Sequence, residues 1–404
     1  MRDPVSDILR YNRKFRGRYP RLLRHKVDLM CRTPFLFFRG TFHLFAADWI
    51  EGRFDAWPRT SPLRERSVRI CADVHGQNFG TTGVEHHHAR FGVNDFDDTS
   101  TGPLDFDACR GAASLILTGG RPGVDAARAF VEAYVAALGG KRLPDAAPIV
   151  RLLRMAEEAR RSPFIDKRTQ FHKGHRKFRG TPYFPLRPEH REQALRLLAD
   201  YLRRFHRSSR RKDGFFDAED AAGRIAGCAS LGRLRYVVLL RGEGSREARN
   251  VILELKESLP SALDASRGRV PRGCRAEQVV DAARAFQGES DPFLGFAVDG
   301  ASSFQVRQLS PRNLPVEKAP ITKADDFREI AATNGAHLAL AHRRANPGVA
   351  ARLLREAVGK VPEAFIRRTM SFALAYAQQA EDDWRLFAAS RRRVAAELTA
   401  GGKR

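Results

Sequence analysis

Strand-like patterns in this 404-residue chain are concentrated in residues 224–310, with helical patterns on both sides. Residues 224–244 combine a glycine-rich turn with an alternating β pattern, and residues 250–258 again alternate apolar and polar side chains. A helical pattern at 272–287 and two strands within 293–310 follow. This order predicts a small antiparallel sheet that carries one helix.

Helical patterns fill most of the remaining chain. Before the sheet, short strands are expected at 67–72 and 89–93, and a loop is expected at 168–188. We therefore predict an α+β fold in three parts. They are a segment of loops and helices (1–212), the β-rich unit (213–312) and C-terminal helices that pack on the first part (313–404).

Composition and simple sequence patterns exclude several classes of protein. The first 20 residues lack the apolar run of a signal peptide, and no stretch approaches the roughly 20 apolar residues of a membrane-spanning helix. Five widely spaced cysteines without a C-x-x-C pair predict neither a disulfide framework nor a zinc site. We expect a cytoplasmic protein without a membrane partner. The net charge of +24 attracts polyanions, but an arginine-rich, high-GC composition explains it too, so nucleic acid is not the favoured partner.

A first group of polar residues lies in the loops around the two short strands. Asp73, His75 and Asn78 follow the first strand, and Asp95 follows the second. Phosphoryl transfer needs oxygen ligands for Mg²⁺ and a carboxylate beside the attacking hydroxyl, and these residue types supply both. Asx residues also cap turns without further function, so that alternative stays open.

A second group lies in the β-rich unit. Gly227, Ser230 and Gly232 form a glycine-rich turn, which lets backbone N–H groups approach phosphates. Lys256 on the next strand is the expected contact for the nucleotide phosphates, and Glu277 on the following helix is its expected partner. An ordinary hairpin and a solvated lysine remain the alternative.

The two groups occur in the reverse of the usual kinase order. In kinases the glycine-rich loop and lysine precede the catalytic aspartate, whereas here they follow it. We therefore expect a protein-kinase-like, two-lobed fold in a circularly permuted order, with a helix-rich large lobe and a small antiparallel β lobe.

Several segments together resemble the bacterial family called domain of unknown function 2252. They run in order from about residue 20 to 350 and read TPFLFFRG, DVHGQNFG, NDFDD, GPLDFDACRGAASL, GCASLG, LKES and DPFLGF…VRQL. Two positions depart from the usual motifs of that family. Ala72 stands where a glycine usually precedes the aspartate, and Ala229 stands for a glycine of the glycine-rich turn.

The aspartate loops are also similar to those of aminoglycoside and choline phosphotransferases. That resemblance implies that Asp73 is the catalytic base and that His75 supports its loop. It implies Mg²⁺ ligands at Asn78 and Asp95, with Asp97 or Asp98 as substitutes for Asp95. Asp105 and Asp107 resemble the acidic position that anchors the loop.

These features favour an ATP/Mg²⁺-dependent phosphotransferase with an unidentified small-molecule hydroxyl acceptor. An AMP transferase on the same fold and a degenerate kinase-like protein that binds a polyanion or a protein are the alternatives. Arg39 lies in an apolar segment and needs a partner, so both a structural salt bridge and a site role stay open.

Overall fold

The computed structural model describes residues 2–54, 68–85, 88–173, 175–205, 214–243, 250–269, 272–349 and 362–400. The fold is mixed α+β, with 54% helix, 17% strand and small antiparallel sheets, as expected from the sequence. The expected boundary between residues 212 and 213 lies outside the described residues. No described helix has the length and apolar character needed to cross a bilayer.

The helices of the described part are α1 (Pro4–Asn12), α2 (Pro20–Met30), α3 (Pro34–Gly40), α4 (Phe42–Glu51), α5 (Leu104–Gly119), α6 (Arg121–Leu138), α7 (Ala147–Glu158), α8 (Arg161–Asp166), α9 (Pro188–Phe205), α10 (Ala262–Ser266), α11 (Arg275–Gln287), α12 (Asp326–Ala345), α13 (Pro362–Ala389) and α14 (Arg391–Thr399). The strands are β1 (Val68–Ile70), β2 (Phe79–Gly83), β3 (Ala89–Val93), β4 (Ser100–Gly102), β5 (Thr169–His172), β6 (His175–Phe178), β7 (Tyr183–Phe184), β8 (Ala218–Arg224), β9 (Arg235–Leu240), β10 (Val251–Glu257), β11 (Gly295–Asp299) and β12 (Ser302–Gln308).

A six-stranded antiparallel sheet has the order β11-β12-β10-β9-β8-β7. Its central strands, RYVVLL and VILELKE, are buried at every position, because both faces of the sheet are covered. On the outer face, Tyr236, Val238 and Leu253 pack against α9 through Leu197 and Tyr201. The strands expected at 250–258 and within 293–310 form as β10 and as the β11–β12 hairpin.

The inner face of the sheet has an apolar part and a polar part. Val237, Leu239 and Ile252 form the apolar part, which Ile165 and Phe178 cover. Phe178 belongs to the β5–β6 hairpin, which forms where a loop was expected from the sequence. That expectation was wrong because the hairpin residues are mostly polar and gain stability by docking on the sheet, which a local pattern does not reveal.

Helices from both ends of the chain pack around the loops between β1 and β4. Helix α12 crosses α6 so closely that a Cβ on Gly335 would lie 2.0 Å from the carbonyl oxygen of Phe130. Asn334 on α12 lies 3.5 Å from the carbonyl oxygen of Gly76, inside the loop that bears Asp73. Helix α12 therefore packs against the loop that bears Asp73.

The N-terminal helices support the glycine-rich turn of the sheet. Lys26 on α2 is buried, and its ammonium group donates to Asn12 Oδ1 at 2.8 Å and to the carbonyl oxygen of Ala229 at 3.0 Å. Burial lowers the pKa of Lys26 to about 7. The basic N-terminal segment is thus an ordered part of the fold.

Candidate functional site

A cavity of about 390 Å³ lies between the inner face of the sheet and the loops around β1 to β4. It is lined by seven of the nine residues of the two polar groups, namely Asp73, His75, Asn78, Asp95, Gly227, Ser230 and Lys256, and also by Arg39, Asp97 and Asp98. A larger cavity of about 1040 Å³ adjoins it and shares Asp291 and Leu294, but none of those nine residues lines it. The smaller cavity is therefore the candidate site.

The backbone before Asp73 is held by a carboxylate of α5. The amides of Cys71 and Ala72 each donate to Asp107 at 2.8 Å. Ala72 adopts a left-handed conformation with φ of 71°, which a residue with a Cβ adopts at some cost. This geometry explains why a glycine suits the position, and it gives Asp107 the expected role of loop anchor.

Asp73 faces a buried arginine that the sequence did not single out. Arg110 Nε donates to Asp73 Oδ1 at 2.7 Å, and its guanidinium lies 4.0 Å from the centre of the Phe38 ring. Burial raises the pKa of Asp73 to about 7, although Arg110 opposes the shift. Asp73 can therefore bind or release a proton near neutral pH.

His75 and Asn78 shape the loop after Asp73. Arg39 Nε donates to His75 Nε2 at 3.2 Å, and Arg39 also contacts Gln77. Burial holds the pKa of His75 well below its ordinary value, so the ring is neutral. Asn78 Nδ2 donates to the carbonyl oxygen of Asp73 at 2.5 Å, which fixes the orientation of the side-chain amide. Arg39 thus lines the cavity and contacts uncharged partners.

Lys256 joins the sheet to the aspartate loops. Its ammonium group forms an ion pair with Asp97 and lies 3.7 Å from Asp95 Oδ1. Asp95 keeps 45% of its side chain exposed, whereas Asp97 is buried. Two segments far apart in sequence thus contribute opposite charges to one site.

The expected Lys256–Glu277 pair is not formed. Glu277 is exposed on α11 and lies outside the cavity lining. Helix α11 buries Ala276, Val279, Val280 and Ala283, and this spacing places Glu277 on a different face. Asp97 and Asp95 are the partners of Lys256 instead.

Asp97 is surrounded by cations and donors. Arg233 Nη1 lies 3.2 Å from Asp97 Oδ2, and Gln305 Nε2 donates to Asp97 Oδ1. Burial alone would raise the pKa of Asp97, but Lys256 and Arg233 outweigh it and hold the pKa well below its ordinary value. Asp97 is therefore ionised and pairs with Lys256. Asp98 also lines the cavity, lies 3.7 Å from Arg233 Nη2 and accepts from the amide of Ala262, at the start of α10, at 3.0 Å.

The glycine-rich turn divides its residues between two environments. Gly227 has φ of 71° and lines the cavity with Ser230, whose hydroxyl accepts from Arg235 at 2.9 Å. Gly232 does not line the cavity, and a Cβ there would lie 2.9 Å from Leu23 and 3.0 Å from Phe15. Gly232 is thus needed for packing against the N-terminal helices, and its predicted role in cofactor binding is wrong.

Sequence reasoning missed Arg110, Arg233 and Gln305. The signal for Arg110 was present, since it is a single charged residue in the apolar helix DACRGAASL and a buried arginine needs a partner. Arg233 and Gln305 carried no comparable signal, because their contacts depend on the packing of the sheet against the loops.

Two sets of side chains bear on metal binding. Asp95 and Asn78 offer the carboxylate and amide oxygens that Mg²⁺ prefers, and both line the cavity. Separately, ligand atoms of Cys71, Asp107 and His342 lie within 4.8 Å of one another. Burial raises the pKa of Cys71 well above its ordinary value, and His342 is hydrogen-bonded to Asp107 and Tyr134 at 2.9 Å each, so this buried set is a hydrogen-bond network.

Comparison with known proteins identifies a family without assigning an activity. A family model described as an uncharacterized protein conserved in bacteria (DUF2252) matches residues 18–140 and 141–390. No curated protein and no solved structure matches the chain.

Proposed function

We propose that this chain, which belongs to the family described as uncharacterized protein conserved in bacteria (DUF2252), is an ATP- and Mg²⁺-dependent phosphotransferase acting on a small-molecule hydroxyl group. The observation that carries the proposal is the position of Lys256. It lies on the sheet and within 3.7 Å of Asp95, in a cavity that Asn78 and Asp73 also line.

The order of elements supports a kinase-like fold in permuted order. A kinase small lobe has a glycine-rich turn between two strands, a lysine on the third strand, then a helix and two more strands. Here β8, the glycine-rich turn, β9, β10 with Lys256, α11, β11 and β12 follow in that order. The loops that bear Asp73 and Asp95 precede them in the chain, and α12 packs behind these loops.

In this proposal Asp73 orients the acceptor hydroxyl and accepts its proton. Its pKa of about 7 suits a group that must release and regain a proton near neutral pH. Arg110 fixes the carboxylate from behind, and Asp107 fixes the backbone that leads to it. These contacts supply positioning, which accounts for much of the catalysis of phosphoryl transfer.

Asn78 and Asp95 are the residues that would hold Mg²⁺, and Lys256 is the residue that would contact nucleotide phosphates. When bound, the metal ion neutralises the charge that develops on the transferred phosphoryl group. The ion pair with Asp97 holds the Lys256 side chain in the cavity. The backbone at Gly227 lines the same cavity and can approach a phosphate closely.

Binding of Mn²⁺ as a substitute for Mg²⁺ tests the proposed metal ligands. In electron paramagnetic resonance, we expect ATP to increase the fraction of protein-bound Mn²⁺. Asp95→Asn removes a carboxylate ligand and should weaken that binding about tenfold or more. Glu277→Gln is the matched control, since this residue is exposed and outside the cavity.

Equal Mn²⁺ binding by the wild type and Asp95→Asn would contradict the assigned metal site. The nucleotide product separates the two enzyme hypotheses, because phosphoryl transfer releases ADP whereas AMP transfer releases pyrophosphate.

A further inference from the structure

The polar part of the sheet's inner face carries a group of arginines that the proposed reaction does not use. In the register of the strands, Lys256 lies opposite Arg235 and Gln305, and Glu254 lies opposite Arg307. Cross-strand neighbours share a face of the sheet. Arg235, Lys256, Gln305 and Arg307 accordingly all line the cavity, together with Arg224.

One carboxylate is shared by three of these arginines. Glu254 is fully buried and contacts Arg224, lies 2.9 Å from Arg307 Nη2 and lies 3.5 Å from Arg235 Nη1. Among the described residues, no other carboxylate lies within ion-pair distance of these three arginines. The three guanidinium groups thus share one paired carboxylate, and Asp95 and Asp97 act on Arg235 and Arg307 only from beyond ion-pair distance.

These arginines differ in exposure, since Arg235 is buried whereas Arg224 and Arg307 keep 22% and 34% of their side chains exposed. Arg235 exposes 8% of its side chain, and burial lowers its pKa. Arg224 Nε is buried without a hydrogen-bond partner in the described part of the chain. Buried cations that lack compensating charge are costly, and a bound anion removes that cost.

The neighbouring surface restricts what kind of group lies there. The apolar part of the same sheet face is covered by Ile165 and Phe178. The part that faces the cavity is charged. An arginine guanidinium can donate two parallel hydrogen bonds to two oxygens of one phosphate group. A phosphate monoester carries about two negative charges at neutral pH.

We infer that Arg224, Arg235 and Arg307 form a phosphate-binding subsite beside Lys256, which holds a second phosphate group. The inference deepens and rests on the proposed function, since the subsite lies in the same cavity. The second phosphate belongs either to a phosphorylated acceptor or to the nucleotide itself, and the two sources share this chemistry.

Calorimetric titration of the full chain with inorganic phosphate, without Mg²⁺, tests the subsite. Wild type should bind phosphate, and Arg224→Gln and Arg307→Gln should each weaken binding about tenfold, the effect of losing a charged hydrogen-bond donor. Each variant leaves two arginines on Glu254, so the fold should persist, as thermal unfolding will verify. Arg307→Lys keeps the charge but loses the fork, and it should bind with intermediate affinity.

Arg196→Gln is the matched control, because Arg196 pairs with Asp299 and lies outside the cavity lining. Phosphate binding that persists in the presence of saturating Mg²⁺-ATP would identify a phosphorylated acceptor as the source, and competition would identify the nucleotide. Lys256→Ala should retain phosphate binding while losing Mg²⁺-ATP binding, which separates this inference from the proposed function. Absence of phosphate binding by the wild type at millimolar concentration, or equal binding by the arginine variants and the control, would overturn the subsite.

Discussion

At the scale of single residues, two aspartates of one cavity have opposite protonation behaviour. Burial raises the pKa of Asp73 to about 7, because Arg110 only partly compensates for the lost hydration. Asp97 is also buried, yet Lys256 and Arg233 hold its pKa well below the ordinary range. In the proposed reaction, these different environments suit Asp73 to proton transfer and Asp97 to charge balance.

The raised pKa of Asp73 predicts a pH dependence of stability. The folded protein keeps this proton at pH values at which the unfolded chain, with a pKa of 3.8, has released it. From this group alone, the free energy of unfolding should fall as the pH rises from about 4 to about 7, by at most about 1.4 kcal/mol per pH unit. Asp73→Asn cannot titrate and should lack this contribution, so denaturant unfolding of both proteins across that range measures it. Parallel pH profiles would contradict the raised pKa.

The left-handed conformation of Ala72 predicts an unusual effect of glycine. Ala72→Gly relieves about 1–2 kcal/mol of backbone strain and loses one buried methyl group, worth about 0.8 kcal/mol. We expect stability to be kept or to rise by up to about 1 kcal/mol. Ala129→Gly, in the middle of α6, should instead cost about 1 kcal/mol or more. Equal losses in thermal unfolding of the two variants would contradict the strain at Ala72.

At the scale of elements, close helix contacts set the position of the site loops. Helix α12 approaches α6 at Gly335 and carries His342, whose ring lies 2.9 Å from Asp107. Asp107 in turn holds the amides before Asp73. A displacement of α12 would therefore move the backbone that positions the proposed base.

The contact at Gly335 predicts a large effect of a single methyl group. Gly335→Ala would place a Cβ 2.0 Å from the backbone oxygen of Phe130, so the helices must separate. We expect a loss of about 3 kcal/mol or more in the free energy of unfolding. Gly139→Ala is the control, since a Cβ there meets its nearest atom at 3.4 Å and φ is −68°. A similar stability of both variants would show that α12 does not pack as described.

Elements were predictable from the sequence where the local pattern decides them. The strands β10, β11 and β12 follow alternation, and α11 follows its apolar spacing. The β5–β6 hairpin was missed because docking on the sheet stabilises it. The apolar spacing of α11 also places Glu277 on the face turned away from the cavity. The Lys256–Glu277 pair was expected because the kinase pattern was applied without asking which face of the helix Glu277 occupies.

At the scale of the whole molecule, the candidate site depends on contacts between segments that are distant in the chain. The residue types of both polar groups could be found from sequence, and seven of their nine residues line one cavity. Their partners could not, because Lys256–Asp97 and Arg233–Asp97 form only when the sheet packs on the aspartate loops. Gly232 was misassigned for the same reason, since its neighbours Leu23 and Phe15 come from the N-terminal helices.

The most direct test of the proposed nucleotide site is thermal unfolding of the full chain with and without Mg²⁺-ATP. The wild type should be stabilised by about 2.7 kcal/mol when the ligand is at 100 times its dissociation constant. The shift should require Mg²⁺, disappear in Lys256→Ala and in Asp95→Ala, and persist in Glu277→Ala. An absent shift at millimolar ATP in folded wild type, or an undiminished shift in the two site variants, would contradict a nucleotide site built from the sheet and the aspartate loops.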